Sequence, residues 1–339
     1  MPGDAKVRLA INGFGRIGRA AFKIALNNSD VEVVAINDVG DIGSLAYLLR
    51  YDTIYGRFGQ PVTVEEDVLV VGEARVAVRQ EKEPAMLPWG ELKVDVVIES
   101  TGVFTEEVEA RPHLAAGARR VIISAPSASE SVATVVMGVN EADLAGQEIV
   151  SCASCTTNSV APVVAVLDKA FGITKALLTT VHAYTASQGI VDSPARGSNA
   201  RLGRAAAVNI VPEETGAARA AAKAYTPLAG AFDGVALRVP VAVVSISDIT
   251  VVMRRKVTVQ QVNAALEAGA RDEALAGVLG VTRDAVVSSD FIGDPRSAIV
   301  DLGLTRVVGG DLVKVMAWYD NEWGYSNRLV EQAIVLGRQ

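Results

Sequence analysis

Short apolar runs alternate with helix-like segments through the front half of the chain. β-branched runs predict buried strands at Val7–Asn12, Val31–Asn37, Asp95–Glu99 and Val121–Ser124. The segments between them predict helices at Arg19–Leu26, Ser44–Arg50 and Val108–Ala116. Strands that alternate with helices indicate a parallel sheet of right-handed βαβ units. The segment Pro61–Glu81 departs from this alternation, and its short β-rich pieces predict hairpins inserted in the sheet.

The pattern changes near Ser151, where longer β-rich runs begin. The predicted strands are Ala176–Val181, Gly234–Val239, Ser247–Val252 and Leu312–Tyr319. The predicted helices are Glu214–Lys223, Val259–Ala268 and Tyr325–Leu336, and Asp192–Arg204 is a Gly/Ser/Arg-rich loop. We predict an α/β protein with a Rossmann-type parallel-sheet domain over 1–150, completed by a C-terminal helix within 321–339. An α+β catalytic domain with a mixed or antiparallel sheet is predicted over 151–320.

Composition narrows the classes of function. The 339 residues suggest two domains at about 150 residues each. A net charge of −7 argues against nucleic acid as the main partner. No apolar run approaches the ~18 residues of a membrane span, and the first residues reach a glycine too soon for a signal peptide. Two cysteines favour a reducing cytoplasm over a disulfide framework, and only two histidines leave a metal site hard to assemble.

A glycine-rich turn follows the first predicted strand. Gly13, Gly15 and Gly18 form G-x-G-x-x-G, and Asp38 ends the next strand, 20 residues after Gly18. Such glycines allow a tight turn and close approach of a pyrophosphate to a helix start, and the carboxylate accepts hydrogen bonds from a ribose. Together they favour dinucleotide binding over a structural glycine turn.

Cys155 lies at the start of a second predicted helix, in SCASCTTN, although Pro162 counts against a regular helix throughout. The positive end of a helix dipole stabilises a thiolate and lowers its pKa. A buried, inert thiol is the commoner fate of a lone cysteine. A nucleophile also needs a base. His182 ends an apolar strand and is favoured over His113, which has a helix-end context typical of a structural residue.

Several motifs occur in order along nearly the whole chain. They are INGFGRIGR at 11–19, IND at 36–38, ESTGVF at 99–104, ISAPS at 123–127, SCTTN at 154–158, HAYT at 182–185, TGAA at 215–218, LRVP at 237–240 and WYDNEWGYS at 318–326. This set resembles that of the phosphorylating glyceraldehyde-3-phosphate dehydrogenases. SCTTN and WYDNEWGYS are highly specific.

The resemblance implies a reaction and its two catalytic residues. Cys155 resembles the nucleophile that forms a hemithioacetal with glyceraldehyde 3-phosphate, and His182 resembles its base. Oxidation by NAD then leaves a thioester, which inorganic phosphate attacks to give 1,3-bisphosphoglycerate.

The resemblance also implies an assembly, a homotetramer, and a cofactor. Asp38 favours NAD over NADP, because the extra phosphate of NADP would place a second negative charge beside the Asp38 carboxylate. Ser193 beside Pro194 leaves open the use of both NAD and NADP.

The resemblance also implies three groups of binding residues. Those resembling the cofactor site are Gly13, Gly15, Arg16, Ile17, Gly18, Asp38, Ser124 and Asn321. Thr185 and Arg238 resemble the site for the substrate phosphate. Ser154, Thr156, Thr215 and Gly216 resemble the site for inorganic phosphate.

The chain departs from the family pattern at a few positions. Ala186 and Ser187 follow HAYT, Leu202 replaces an arginine, and Cys152 gives a C-x-x-C with Cys155. Glu213 and Glu214 precede Thr215 in place of small hydroxyl residues, and a solvated pair of carboxylates is the favoured interpretation. These departures keep two alternatives open: an erythrose-4-phosphate dehydrogenase, or a nucleotide-binding redox sensor without turnover.

Overall fold

The computed structural model describes residues 5–195 and 199–339. Residues 1–4, which belong to the segment predicted not to be a signal peptide, lie outside the described residues. So do residues 196–198 of the predicted Asp192–Arg204 loop. The chain divides into two compact units. Unit 1 comprises Met1–Val135, Glu141–Ala153 and Ser326–Gln339, and unit 2 comprises Val136–Asn140 and Ser154–Tyr325.

The helices and strands have the following bounds. The α-helices are α1 (Arg16–Leu26), α2 (Ile42–Arg50), α3 (Glu107–Ala115), α4 (Cys155–Phe171), α5 (Ala217–Ala224), α6 (Val259–Gly269) and α7 (Trp323–Gly337). The strands of unit 1 are β1 (Val7–Asn12), β2 (Val31–Asn37), β3 (Tyr51–Asp52), β4 (Gly56–Arg57), β5 (Val62–Glu65), β6 (Val68–Val71), β7 (Ala74–Arg79), β8 (Val96–Glu99), β9 (Arg120–Ile123), β10 (Ala133–Thr134) and β11 (Ile149–Ser151). The strands of unit 2 are β12 (Ile173–Ala183), β13 (Val211–Glu214), β14 (Phe232–Val239), β15 (Ser245–Met253), β16 (Leu279–Thr282), β17 (Ala298–Asp301), β18 (Arg306–Val308) and β19 (Leu312–Tyr319).

Unit 1 contains the predicted wound sheet. Its strand order is β10-β11-β9-β8-β1-β2-β7-β6-β5, and pairing is parallel from β10 to β7. Strand β8 is buried at every position, as expected for a parallel strand covered on both faces. The predicted hairpins are confirmed, since β5, β6 and β7 pair antiparallel at one edge.

Helix α1 begins three residues earlier than the sequence pattern predicts, at Arg16 rather than Arg19. Gly15 is its N-cap residue, and its carbonyl accepts the Arg19 N–H at 3.0 Å. The helix therefore starts inside the glycine motif. This places the unpaired N–H groups of its first turn in the loop, where an anion can use them.

Unit 2 contains a mixed sheet, as predicted. Its order is β13-β14-β12-β15-β19-β17-β16, with β18 beside β19. The pairs β12–β14 and β16–β17 are parallel and the other pairs are antiparallel. Parallel pairing of β12 with β14 sets His182 opposite Arg238.

Two expectations for unit 2 were wrong. Helix α4 is continuous through Pro162. Pro162 has no N–H and so removes one backbone hydrogen bond from the helix. The residues on both sides of it are fully buried, and their packing stabilises the helix. The helix predicted from Glu214 instead begins at Ala217, because Val211–Glu214 pairs with β14 as a strand that the sequence pattern missed.

Candidate active site

The glycine loop has the geometry that dinucleotide binding requires. Gly13 has φ +90°, and a Cβ there would lie 2.5 Å from the Thr101 backbone nitrogen. A Cβ on Gly18 would lie 2.0 Å from the Gly13 carbonyl oxygen. A Cβ on Gly15, by contrast, would meet nothing within 4 Å. The fold therefore requires the first and third glycines, whereas Gly15 leaves an open cradle at the start of α1 that fits a pyrophosphate.

Asp38 links the glycine loop to the turn after β2. Its Oδ2 accepts the Phe14 N–H at 2.7 Å, and its Oδ1 accepts the Gly40 N–H at 2.8 Å. A carboxylate has about four acceptor positions, so these two bonds leave capacity for ribose hydroxyls. Arg16 pairs with Asp52 at 2.9 Å and so stays fixed beside the cradle. Ile17 and Ser124 are half-buried.

A buried polar cluster lies at the carboxyl ends of β1, β2 and β8, and the sequence reasoning missed it. Asn12 donates to Glu99 at 2.5 Å and accepts from Asn37 at 2.6 Å. The Trp89 indole N–H can only donate, so His113 Nδ1 accepts it at 3.0 Å and Nε2 carries the proton toward Glu99, 3.1 Å away. His113 is thus a structural residue.

Cys155 and His182 meet in unit 2. Ser154 is the N-cap of α4, and its Oγ accepts the Thr157 N–H at 3.1 Å, so Cys155 is the first residue of the helix. Cys155 Sγ lies 3.4 Å from His182 Nε2. The other ring nitrogen, Nδ1, is 2.7 Å from the Ala183 carbonyl oxygen. The sequence therefore paired the thiol with the histidine that the fold places beside it.

The protonation of this pair differs from the expectation. Burial, with the Arg238 charge, lowers the pKa of His182 to about 3, so the imidazole is neutral near pH 7. Burial raises the pKa of the Cys155 thiol and outweighs the opposing Arg238 charge and Thr156 hydrogen bonds. The lowered thiol pKa expected from the helix start was wrong, because desolvation of the thiolate is the larger effect. The resting pair is a thiol and a neutral imidazole.

Tyr319 supports this pair, although the sequence reasoning gave it no role. Its hydroxyl lies 2.9 Å from Thr156 Oγ1 and 2.8 Å from Thr180 Oγ1, and its ring meets His182 edge-on at 6.0 Å. Burial raises the pKa of Tyr319, so the phenol remains neutral. It stands in the WYDNEWGYS motif, which was the only signal that could have indicated it.

Two helix starts converge near the thiol. Thr215 Oγ1 accepts the Ala217 N–H at 3.1 Å, and exposed Gly216 is the N-cap residue of α5. Thr157 Oγ1 donates to the Ala217 carbonyl at 3.3 Å, which ties the start of α5 to the start of α4. Convergent helix N-termini favour an anion. Thr156 is buried, with its hydroxyl against Tyr319.

The remaining predicted residues of unit 2 occupy strand ends. Thr185 follows β12, and its Oγ1 lies 2.9 Å from the hydroxyl of Ser187, one of the departures from the family pattern. Asn321 follows β19 and is buried, with Oδ1 accepting the Ser245 hydroxyl at 3.1 Å. That bond fixes the orientation of its amide, because only the carbonyl oxygen can accept a hydrogen bond.

The structure also bears on disulfides, membrane-spanning helices and metal sites. Cys152 and Cys155 are both thiols rather than halves of a disulfide, and Cys152 is buried. Within residues 5–195 and 199–339, no helix is long and apolar enough to cross a membrane. The same stretches hold no cluster of three or more His, Cys, Asp or Glu side chains that could bind a metal.

Unit 1 has a dinucleotide-type glycine loop on a parallel sheet, and unit 2 has a thiol beside an imidazole at a helix start. Both features are typical of the class of dinucleotide-dependent dehydrogenases. Comparison with known proteins narrows this class. The model of the glyceraldehyde 3-phosphate dehydrogenase NAD-binding domain matches residues 7–107, and that of the C-terminal domain matches residues 154–321. The chain therefore belongs to the glyceraldehyde-3-phosphate dehydrogenase family.

Similar proteins extend over the full length. The chain is 51% identical to a glyceraldehyde-3-phosphate dehydrogenase of Streptomyces coelicolor, over 98% of this chain and 99% of the relative. It is 48% identical to that of Mycobacterium avium and 49% identical to that of Mycobacterium tuberculosis, with the same coverage. The predicted family, fold class, enzyme class and NAD cofactor are confirmed. Neither alternative, erythrose-4-phosphate dehydrogenase or redox sensor, is favoured.

Proposed function

We propose that this chain oxidises glyceraldehyde 3-phosphate with NAD and inorganic phosphate to 1,3-bisphosphoglycerate in the cytoplasm. The observation that carries the proposal is the 3.4 Å approach of Cys155 Sγ to His182 Nε2 at the start of α4. Unit 1, with the open cradle at Gly15, supplies the cofactor domain, and unit 2 supplies the catalytic residues. The proposed domains are a cofactor-binding domain over 1–150, completed by the C-terminal helix within 321–339, and a catalytic domain over 151–320.

His182 moves protons in both halves of the oxidation. Because its imidazole is neutral, Nε2 accepts the thiol proton as sulfur attacks the aldehyde carbon, and the proton passes to the new alkoxide. N–H groups of the first turn of α4 stabilise that oxyanion. Nε2 then takes the hemithioacetal hydroxyl proton as the hydride departs. The glycine loop of unit 1 would hold NAD, which would supply the hydride acceptor.

The thioester left on Cys155 requires a second nucleophile. Inorganic phosphate suits the converging starts of α4 and α5, where Ser154, Thr156, Thr215 and Gly216 lie. The phosphate already on the substrate suits Thr185 and Arg238. Thr185 follows β12, and Arg238 lies in β14, which pairs with β12 in parallel. Attack of a phosphate oxygen on the acyl carbon forms the acyl phosphate and releases the Cys155 sulfur.

Absorbance at the NADH band, with and without inorganic phosphate, tests the whole proposal. With phosphate we expect continuous NADH production. Without it we expect a burst of about one NADH per subunit, because the thioester persists. Equal steady rates would indicate hydrolysis of the thioester, as in the erythrose-4-phosphate alternative. Absence of NADH under both conditions would favour the sensor.

Replacement of Arg238 by alanine tests the site for the substrate phosphate. Loss of a charge-assisted contact to phosphate costs about 1.5–3 kcal/mol, so the KM for glyceraldehyde 3-phosphate should rise about 10–150-fold. The KM for unphosphorylated glyceraldehyde should change far less. Steady-state kinetics with both aldehydes measures the difference, and equal effects would show that Arg238 has only a structural role.

We also propose a homotetramer. The outer surface of the unit 2 sheet is apolar at exposed Leu177, Val235 and Leu312, and a groove of about 1000 Å³ runs beside Leu177 and Leu312. Ile190 and Ile210, which flank the predicted loop, are also exposed. Apolar surface of this kind is typical of subunit interfaces. Light scattering should give four times the 35.5 kDa of one chain, and a monomer at micromolar concentration would contradict the proposal.

A further inference from the structure

Glu213 forms an ion pair with the arginine proposed to bind the substrate phosphate. Arg238 Nε donates to Glu213 Oε2 at 2.8 Å, and the two side chains are only 17% and 20% exposed. The sequence pattern predicted that Glu213 and Glu214 are both solvated carboxylates. Glu214 is exposed, as predicted, but Glu213 is not. Strand β13, which the sequence pattern missed, places Glu213 on the strand next to Arg238.

The NH1 end of the guanidinium lies against strand β12. Its NH1 donates to the Ala183 carbonyl oxygen at 3.3 Å and lies 2.7 Å from His182 Nδ1. In the tautomer that lets Nε2 accept the thiol proton, Nδ1 carries its own proton toward the same carbonyl oxygen, so the approach of NH1 to Nδ1 is a close contact and not a hydrogen bond. Guanidinium binds phosphate best through a pair of parallel N–H donors, and the Nε edge is one such pair. Glu213 occupies the Nε end of that edge with a full negative charge. A substrate phosphate must therefore displace the carboxylate or bind beside it.

We propose that Glu213 is a specificity-determining residue that competes with the substrate phosphate for Arg238 and lowers the preference for phosphorylated over unphosphorylated aldehydes. This inference rests on the proposed role of Arg238. The carboxylate neutralises the cation when no phosphate is present, and like charges at close range repel a phosphate that enters. An aldehyde with a neutral hydroxyl end meets no such repulsion.

The test is Glu213→Gln, with Glu214→Gln as the matched control. Both variants remove one carboxylate from the same strand, but only Glu213 contacts Arg238. For Glu213→Gln we expect the ratio of kcat/KM for glyceraldehyde 3-phosphate to that for glyceraldehyde to rise about tenfold, the low end for one charge-assisted contact. For Glu214→Gln we expect a change of less than about twofold. An unchanged ratio in Glu213→Gln, or equal rises in both variants, would overturn the inference.

Glu213→Thr provides a second variant of the same site, since a β-branched residue suits strand β13. It should raise the ratio as Glu213→Gln does. Each substitution is repeated in the Arg238→Ala background, where we expect no rise. If Arg238→Ala affects both aldehydes equally, the phosphate site itself is misassigned and the inference falls with it. If Arg238→Ala is selective but neither Glu213 variant shifts the ratio, the inference alone is wrong.

Discussion

Cys155→Ser is expected to abolish aldehyde oxidation while NAD binding is retained. Loss of a catalytic nucleophile costs on the order of 10⁴–10⁶ in rate. The structure adds a specific reason, because the group that lies 3.4 Å from His182 Nε2 would change from a thiol to a much less acidic hydroxyl. The ester that serine would form is also a poorer acyl donor to phosphate than a thioester. NADH formation measures the loss, and calorimetric titration with NAD measures binding.

Cys152→Ser is the matched control for this experiment. The same atom is exchanged three residues earlier, at a buried position outside the proposed chemistry. Its turnover should stay within about threefold of the unmodified enzyme, since a buried small-residue change acts chiefly on stability. Activity of Cys155→Ser within about tenfold of wild type would refute the assignment of the nucleophile.

His182→Asn is expected to lower the rate of the first oxidation by about 10²–10⁴-fold, as general-base loss does. Asparagine retains polarity but cannot accept the thiol proton at the 3.4 Å position of Nε2. The measurement is a single-turnover burst of NADH, which separates oxidation from later attack by phosphate. The burst amplitude should persist while its rate falls.

His113→Asn makes the same exchange in unit 1 and is the control. His113 bonds Trp89 and Glu99, so its loss should cost about 1–3 kcal/mol of stability through unpaired buried groups. Below the melting temperature, its burst rate should stay within about tenfold of wild type. A larger loss of rate for folded His113→Asn than for His182→Asn would show that the wrong histidine was chosen.

The helix start at Cys155 illustrates where sequence reasoning on the pKa failed. The pattern correctly places the thiol in the first turn of α4, where the dipole favours thiolate. Burial acts in the opposite direction and prevails. Burial depends on which strands and side chains cover the thiol, and a local pattern carries no measure of that.

Elements whose causes are local could be predicted from the sequence. Alternating apolar runs predicted the wound sheet, and the glycine spacing predicted the turn at Gly13, because periodicity and permitted backbone angles act within a few residues. The motifs determined the family, since WYDNEWGYS and SCTTN are specific as strings. The pairing of Cys155 with His182 was also predicted, because Cys155 starts a predicted helix and His182 ends a predicted strand.

Contacts between residues distant in the chain could not be predicted in this way, because they depend on the folded sheet. His182 and Arg238 are separated by 56 positions and meet because β12 and β14 pair in parallel. Glu213 joins them because β13 adds to the same sheet, against a sequence pattern that predicted a helix from Glu214. Strand register, which no local propensity specifies, determines which charges become neighbours. The ion pair on Arg238 and the neutral state of His182 therefore follow from the folded sheet.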